Sequence, residues 1–126
     1  MGKKSILVVD DDECQRLLYH EVLTDQGYEV ILAKNGKEAV KKAEQEDPDL
    51  VILDIVMPEM DGLEALPQIL RRHRKTPVIL NTAYSKYTKD SMTWVADAYV
   101  LKSSDMSELK QKIEELLSAR HTNENT

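Results

Sequence analysis

Leu50-Val51-Ile52-Leu53-Asp54 carries the clearest signal of the architecture. Its aliphatic residues show no polar alternation, the mark of a strand covered on both faces, and an acid stands directly at its carboxyl end. Ile6-Leu7-Val8-Val9-Asp10-Asp11 repeats the design with two acids. Further short runs rich in Val, Ile and Leu predict strands over 29–33, 78–81 and 99–101, beside 5–9 and 50–53.

Stretches of helical period separate these runs. Over 13–26, Cys14, Leu17, Leu18 and Val22, joined by Leu23, form one stripe that Gly27 ends. Ala39, Val40 and Ala43 predict a helix over 37–46, halted before Pro48. Leu66, Ile69 and Leu70 predict another over 63–73, starting late or kinking because Pro67 lacks an interior amide. A helix is also read over 86–96, from a polar and weakly periodic stretch. The clearest stripe, Leu109, Ile113, Leu116 and Leu117, belongs to 106–120, where Asp105 and Glu108 resemble a capping box. Five strands alternating with five helices imply a doubly wound α/β domain, with a parallel sheet and right-handed crossovers. Residues 1–120 are read as one domain and 121–126 as a flexible tail.

Composition narrows the function. The 126 residues carry a net charge of −6, which argues against non-specific nucleic-acid binding; the cluster Arg71 to Lys75 reads as a solvated helix end. Four glycines (Gly2, Gly27, Gly36, Gly62) cannot assemble a G-x-G-x-x-G turn or a P-loop. The histidines lack metal-ligand spacing. A single cysteine, no signal peptide and no long apolar run set the expectation of a cytoplasmic protein without membrane contact. Cys14 itself is expected to be a small core residue.

In open α/β sheets the ligand site lies at the carboxyl edge, where strand order reverses. Asp10, Asp11 and Asp54 all end strands there. If the first and third strands are neighbours, carboxylates about 5 Å apart repel by roughly 3 kcal/mol at an effective dielectric near 20. A cation compensates, and oxygen-only ligands favour Mg²⁺ with positions left open for phosphate oxygens. Thr82 and Lys102 end two further strands on the same edge and supply a hydroxyl donor and an ammonium to a phosphoryl pocket, with Asp54 as nucleophile.

The segments ILVVDDD, DLVILDIVMPEMDG, LNTAYS and ADAYVLKS, in that order, resemble the receiver domain of two-component response regulators over residues 5–118. The resemblance is to stand-alone receivers of the chemotaxis-regulator kind. It implies a flavodoxin-like sheet of order 2-1-3-4-5 and a phosphorelay phosphoacceptor, not an enzyme beyond its own phosphorylation and dephosphorylation. By the same resemblance Asp54 takes the phosphoryl group, Asp11 is the principal metal ligand, Asp10 completes the acidic pocket, and the Val56 carbonyl binds Mg²⁺. Thr82 matches the switch hydroxyl, Lys102 the pairing lysine and Tyr99 the aromatic that follows Thr82. A histidine kinase or phosphotransfer protein would be the donor and an effector protein the output, with no direct DNA binding.

The rival readings are a receiver-like adaptor that works without phosphorylation, a Mg²⁺-dependent aspartyl-phosphate hydrolase, and a flavin carrier. The hydrolase lacks its second acid, since Val56 stands there. The flavin carrier meets acids where flavin phosphate needs amides and hydroxyls. Ser103 replaces the family's usual proline after the lysine, leaving a cis or a trans peptide open. Val95 replaces a glycine cap. Tyr84, Tyr87, Trp94 and Tyr99 read either as packing against the sheet or as a partner face. Bulky Val56 and Tyr84 beside the site predict slow self-hydrolysis of the phosphoryl group.

Overall fold

The structure is a computed structural model and describes residues 2–72, 75–84, 86 and 95–124. The elements follow as β1 (Ser5–Val9), α1 (Glu13–Asp25), β2 (Glu29–Ala33), α2 (Gly36–Glu46), β3 (Leu50–Leu53), α3 (Gly62–Arg72), β4 (Val78–Thr82), β5 (Ala98–Leu101) and α4 (Ser107–Glu124). All five strands are parallel, in the order β2-β1-β3-β4-β5. The order reverses between β1, which pairs with both β2 and β3, and its neighbours on either side.

Each strand's side chains alternate between two cores, so an unbroken apolar run is needed to fill both. On one face α2 and α3 lay Ala39, Ala43, Leu66 and Ile69 over Leu7, Val9, Val51, Leu53 and Leu80. On the other, α1 and α4 lay Tyr19, Leu23, Leu109 and Ile113 over Ile6, Val8, Ile52 and Ile79. Ile113 has no exposed surface, and burying such a side chain is worth about 1.5–3 kcal/mol.

Several expectations are corrected. The apolar stripe read along α1 is its inner face only in part: Leu23 is buried and Val22 half-buried, but Leu17 and Leu18 are 57% and 45% exposed, and Cys14 is exposed rather than in the core. Two contacts hold the first turns of the helix. Asp12 caps it, accepting from Cys14 N and Gln15 N, while Arg16 Nη1 donates to the Asp10 carbonyl at 2.7 Å. With Arg16 turned to the sheet, Tyr19 and Leu23 lie on the same face and are buried.

Helix α3 starts at Gly62, earlier than read, and runs through Pro67. Asp61 caps it, its carboxylate accepting from Glu64 N at 2.9 Å. The expected capping box of α4 is replaced by Asp105 accepting from Ser107 N at 2.9 Å and from Ser107 Oγ at 2.6 Å. That helix continues to Glu124, beyond the 106–120 read for it. Four helices are found among the described residues, not five; the one read over 86–96 falls on 87–94, outside them, as do Tyr87 and Trp94. No helix among the described residues is long and apolar enough to cross a membrane.

Candidate functional site

The β1/β3 pairing in register, Val9 opposite Leu53, carries the acids that follow these strands to one point of the sheet edge. Carboxylate oxygens of Asp10, Asp11 and Asp54 all lie within 4.8 Å of one another. Asp10 and Asp54 are buried and Asp11 is exposed, so the cluster is walled on the protein side and open on the solvent side.

Backbone contacts set the aim of each acid. Asp54 N donates to the Val9 carbonyl at 3.0 Å, which continues the β1/β3 ladder by one residue. Asp54 Oδ1 then accepts from Ile55 N at 2.7 Å, and Asp10 Oδ1 accepts from Asp12 N at 2.9 Å. A Cβ on Gly62 would run into the Asp54 backbone oxygen, so the start of α3 can pack onto the site only with glycine there.

β5 brings the counter-charge. Lys102 N donates to the Thr82 carbonyl at 2.8 Å, and its Nζ reaches Asp10 Oδ2 at 2.7 Å and Asp54 Oδ2 at 2.9 Å. No cis peptide bond occurs among the described residues, so Lys102 reaches both acids with a trans bond to Ser103. Burial pushes the Asp54 carboxyl above its ordinary value and the Asp10 charge adds to this, against the pull of Lys102. Burial disfavours the Lys102 ammonium, but its bonds to Asp10 and Asp54 outweigh that and hold it above the usual lysine range. Lysine sees two carboxylates, whereas Asp54 shares one lysine with a like-charged neighbour. The pocket therefore holds excess negative charge. That is the arrangement an added cation relieves.

Thr82 is fully buried at the end of β4, and Tyr84 N lies 3.4 Å from its Oγ1. Val56, two residues beyond Asp54, and Tyr84, two beyond Thr82, are 44% and 50% exposed, and Lys86 Nζ stands 5.5 Å over the Tyr84 ring. The Tyr99 hydroxyl donates to the Tyr84 carbonyl. All the residues expected at the sheet edge from Asp10 to Lys102 thus stand at the ends of β1, β3, β4 and β5.

Two groups beside the site were not read from the sequence. Arg16, on the first turns of α1, holds the Asp10 carbonyl. Asn81, 2% exposed, donates from Nδ2 to the Tyr19 hydroxyl at 2.9 Å. A polar residue inside the run Val78-Ile79-Leu80-Asn81 was the available signal for the second; nothing in the sequence marked the first.

A five-stranded parallel sheet with three acids, a threonine and a lysine at its switch-point edge has its site where open α/β sheets carry their ligands. Residues 6–114 match the response regulator receiver domain, and the chain belongs to that family. It is similar to response regulator protein TrrA of Thermotoga maritima, whose crystal structure is in complex with Mg²⁺-BeF: 48% identity, TM-score 0.87, 90% of this chain and 98% of that one. TrrA has also been solved in complex with the histidine kinase ThkA, with a TM-score of 0.84 at the same identity and coverage. The alkaline phosphatase synthesis transcriptional regulatory protein PhoP of Bacillus subtilis is 36% identical over 116 residues, 90% of this chain and 48% of PhoP. The chain spans about half the length of the first such curated relatives.

Proposed function

We propose that the protein is a phosphorelay receiver that takes a phosphoryl group on Asp54, with Mg²⁺, from a histidine kinase or phosphotransfer protein. The carrying observation is the Lys102 ammonium bridging Asp10 and Asp54 at 2.7 and 2.9 Å, inside a carboxylate cluster too negative to be balanced by one lysine. Oxygen donors only, one of the three acids open to solvent, fit Mg²⁺. Asp10, Asp11 and Asp54, with the Val56 carbonyl, would hold it. Bound there, the ion would neutralise phosphoryl oxygens and orient the donor phosphate.

The chain's own part follows. Asp54 Oδ attacks phosphorus as the phosphorus–nitrogen bond to the donor imidazole breaks, and the product is an acyl phosphate. Thr82 and Lys102 then bond the transferred oxygens, and the added charge draws them inward. Residues 1–120 would act as one receiver and 121–126 as a tail, switching a surface read by an effector protein without direct DNA contact. The chain would be a cytoplasmic phosphoacceptor with no turnover of other substrates. The likeness to TrrA, solved with Mg²⁺-BeF and with a kinase, supports this reading. With Val56 and Tyr84 bulky and neither acidic nor amide, self-hydrolysis would be slow; small or amide replacements should shorten the phosphoryl lifetime, and an unchanged rate rules this out.

The test is incubation with Mg²⁺ and a small acyl phosphate. A hydroxylamine-labile adduct of one phosphoryl mass is expected. Its absence in wild type, or its persistence in Asp54→Asn, overturns the proposal.

A further inference from the structure

Asn81 and Tyr19 lie behind the acid pocket, on the opposite sheet face from Thr82. Both are almost fully buried, at 2% and 4% exposure, and they share one hydrogen bond. Among the described residues nothing donates to Asn81 Oδ1, and nothing accepts the Tyr19 hydroxyl proton. Such groups cost stability when buried with open valences, and an apolar pair of the same shape would be neutral or better. Packing alone therefore gives no reason for an asparagine in β4.

The same two side chains line a recess of about 10 Å³, closed on its other side by Ser103, Asp105, Met106 and Leu109. That volume is at the lower limit for one water, and both polar residues line the recess. The far wall is the β5–α4 loop, which begins at Lys102. Its Ser103 and Asp105 are exposed and bonded mainly to each other and to Ser107. Asn81 is paired in register with Val100, and the next residue, Thr82, accepts from Lys102 N at 2.8 Å. The recess is thus the place where the loop carrying Lys102 meets α1 and the sheet.

We propose that Asn81 and Tyr19, through a water held in this recess, are positioning residues that set the β5–α4 loop and so aim Lys102 at Asp54. The role rests on the phosphoacceptor reading above. A hydrated polar joint fixes the loop by direction as well as by contact, which an apolar seam does not.

Asn81→Thr and Asn81→Val have nearly the same shape and strand preference and differ in a hydroxyl. Each is compared with wild type for thermal midpoint, magnesium affinity and rate of adduct formation from acetyl phosphate at saturating Mg²⁺. Asn81→Val should slow adduct formation roughly tenfold or more, with magnesium affinity not weakened, because the metal-side acids stay in place. Asn81→Thr should restore most of the rate. Should Asn81→Val fail to fold, the same comparison is made on Tyr19→Phe/Asn81→Val, which strands no partner, against Tyr19→Phe/Asn81→Thr. Equal rates for the valine and threonine variants, or parallel loss of rate and magnesium affinity, overturn the proposal. A wild type that forms no adduct fails the phosphoacceptor reading instead.

Discussion

Asp54 is the residue on which electrostatics and function meet. Its folded-state pKa is raised, so the folded protein holds this proton more tightly than the unfolded chain. The stability from that preference is present below the ordinary aspartate pKa and is lost as pH rises through the raised one. Asp54→Asn should therefore raise the thermal midpoint of the metal-free protein at pH 7, and the gain should vanish below about pH 4. Melting curves across pH in a chelating buffer check this; a gain independent of pH would contradict it. Lys102→Met leaves two buried carboxylates facing each other without a counter-ion. It should cost about 3 kcal/mol in the metal-free protein, part of it recovered on adding Mg²⁺ in denaturant titrations. The sequence alone placed Asp10, Asp11, Asp54, Thr82 and Lys102 at strand ends, because a short apolar run followed by a polar residue states where a strand stops. That Lys102 shares itself between Asp10 and Asp54 depends on a loop conformation the sequence does not state.

Among the elements, α1 carries the sharpest contrast between pattern and packing. Its exposed Leu17 and Leu18 have the spacing of an inner face, yet the buried positions are Tyr19 and Leu23. Leu17→Ser should stay within about 0.5 kcal/mol of wild type, whereas Leu23→Ala should cost about 2–5 kcal/mol; denaturation of both variants separates the two faces. Periodicity found Leu23 but misplaced Leu17 and Leu18, because it ranks residues by apolarity and cannot see that Arg16, on the same face as Tyr19 and Leu23, bonds the Asp10 carbonyl. Pro67 alone predicts a late start or a kink in α3, but the Asp61 cap starts the helix at Gly62 before the proline is reached. At its first residue, Gly62→Ala should destabilise by roughly 1–3 kcal/mol through overpacking. It should also weaken magnesium binding, because the side chain presses on the Asp54 backbone; calorimetric titration would measure that loss.

Across the whole molecule, the parallel sheet brings Asp10, Asp11, Asp54, Thr82 and Lys102 together because four strand ends meet at one edge. Magnesium binding only to the folded state should stabilise it by about 2.7 kcal/mol at a hundredfold excess over its dissociation constant. Asp11→Asn should reduce that shift while costing little without metal, since Asp11 is exposed; thermal unfolding with and without Mg²⁺ tests both. The strands, their parallel arrangement, the acids at their ends and the family motif are all legible along the chain. Each of these is written in local runs of a few residues. Tertiary structure alone decided which side of α1 faces inward, how Lys102 divides itself between two acids, and that Asn81 meets Tyr19 across 62 positions. Such contacts depend on helix rotation and loop path, which are settled by packing between distant segments and leave no periodic trace along the chain.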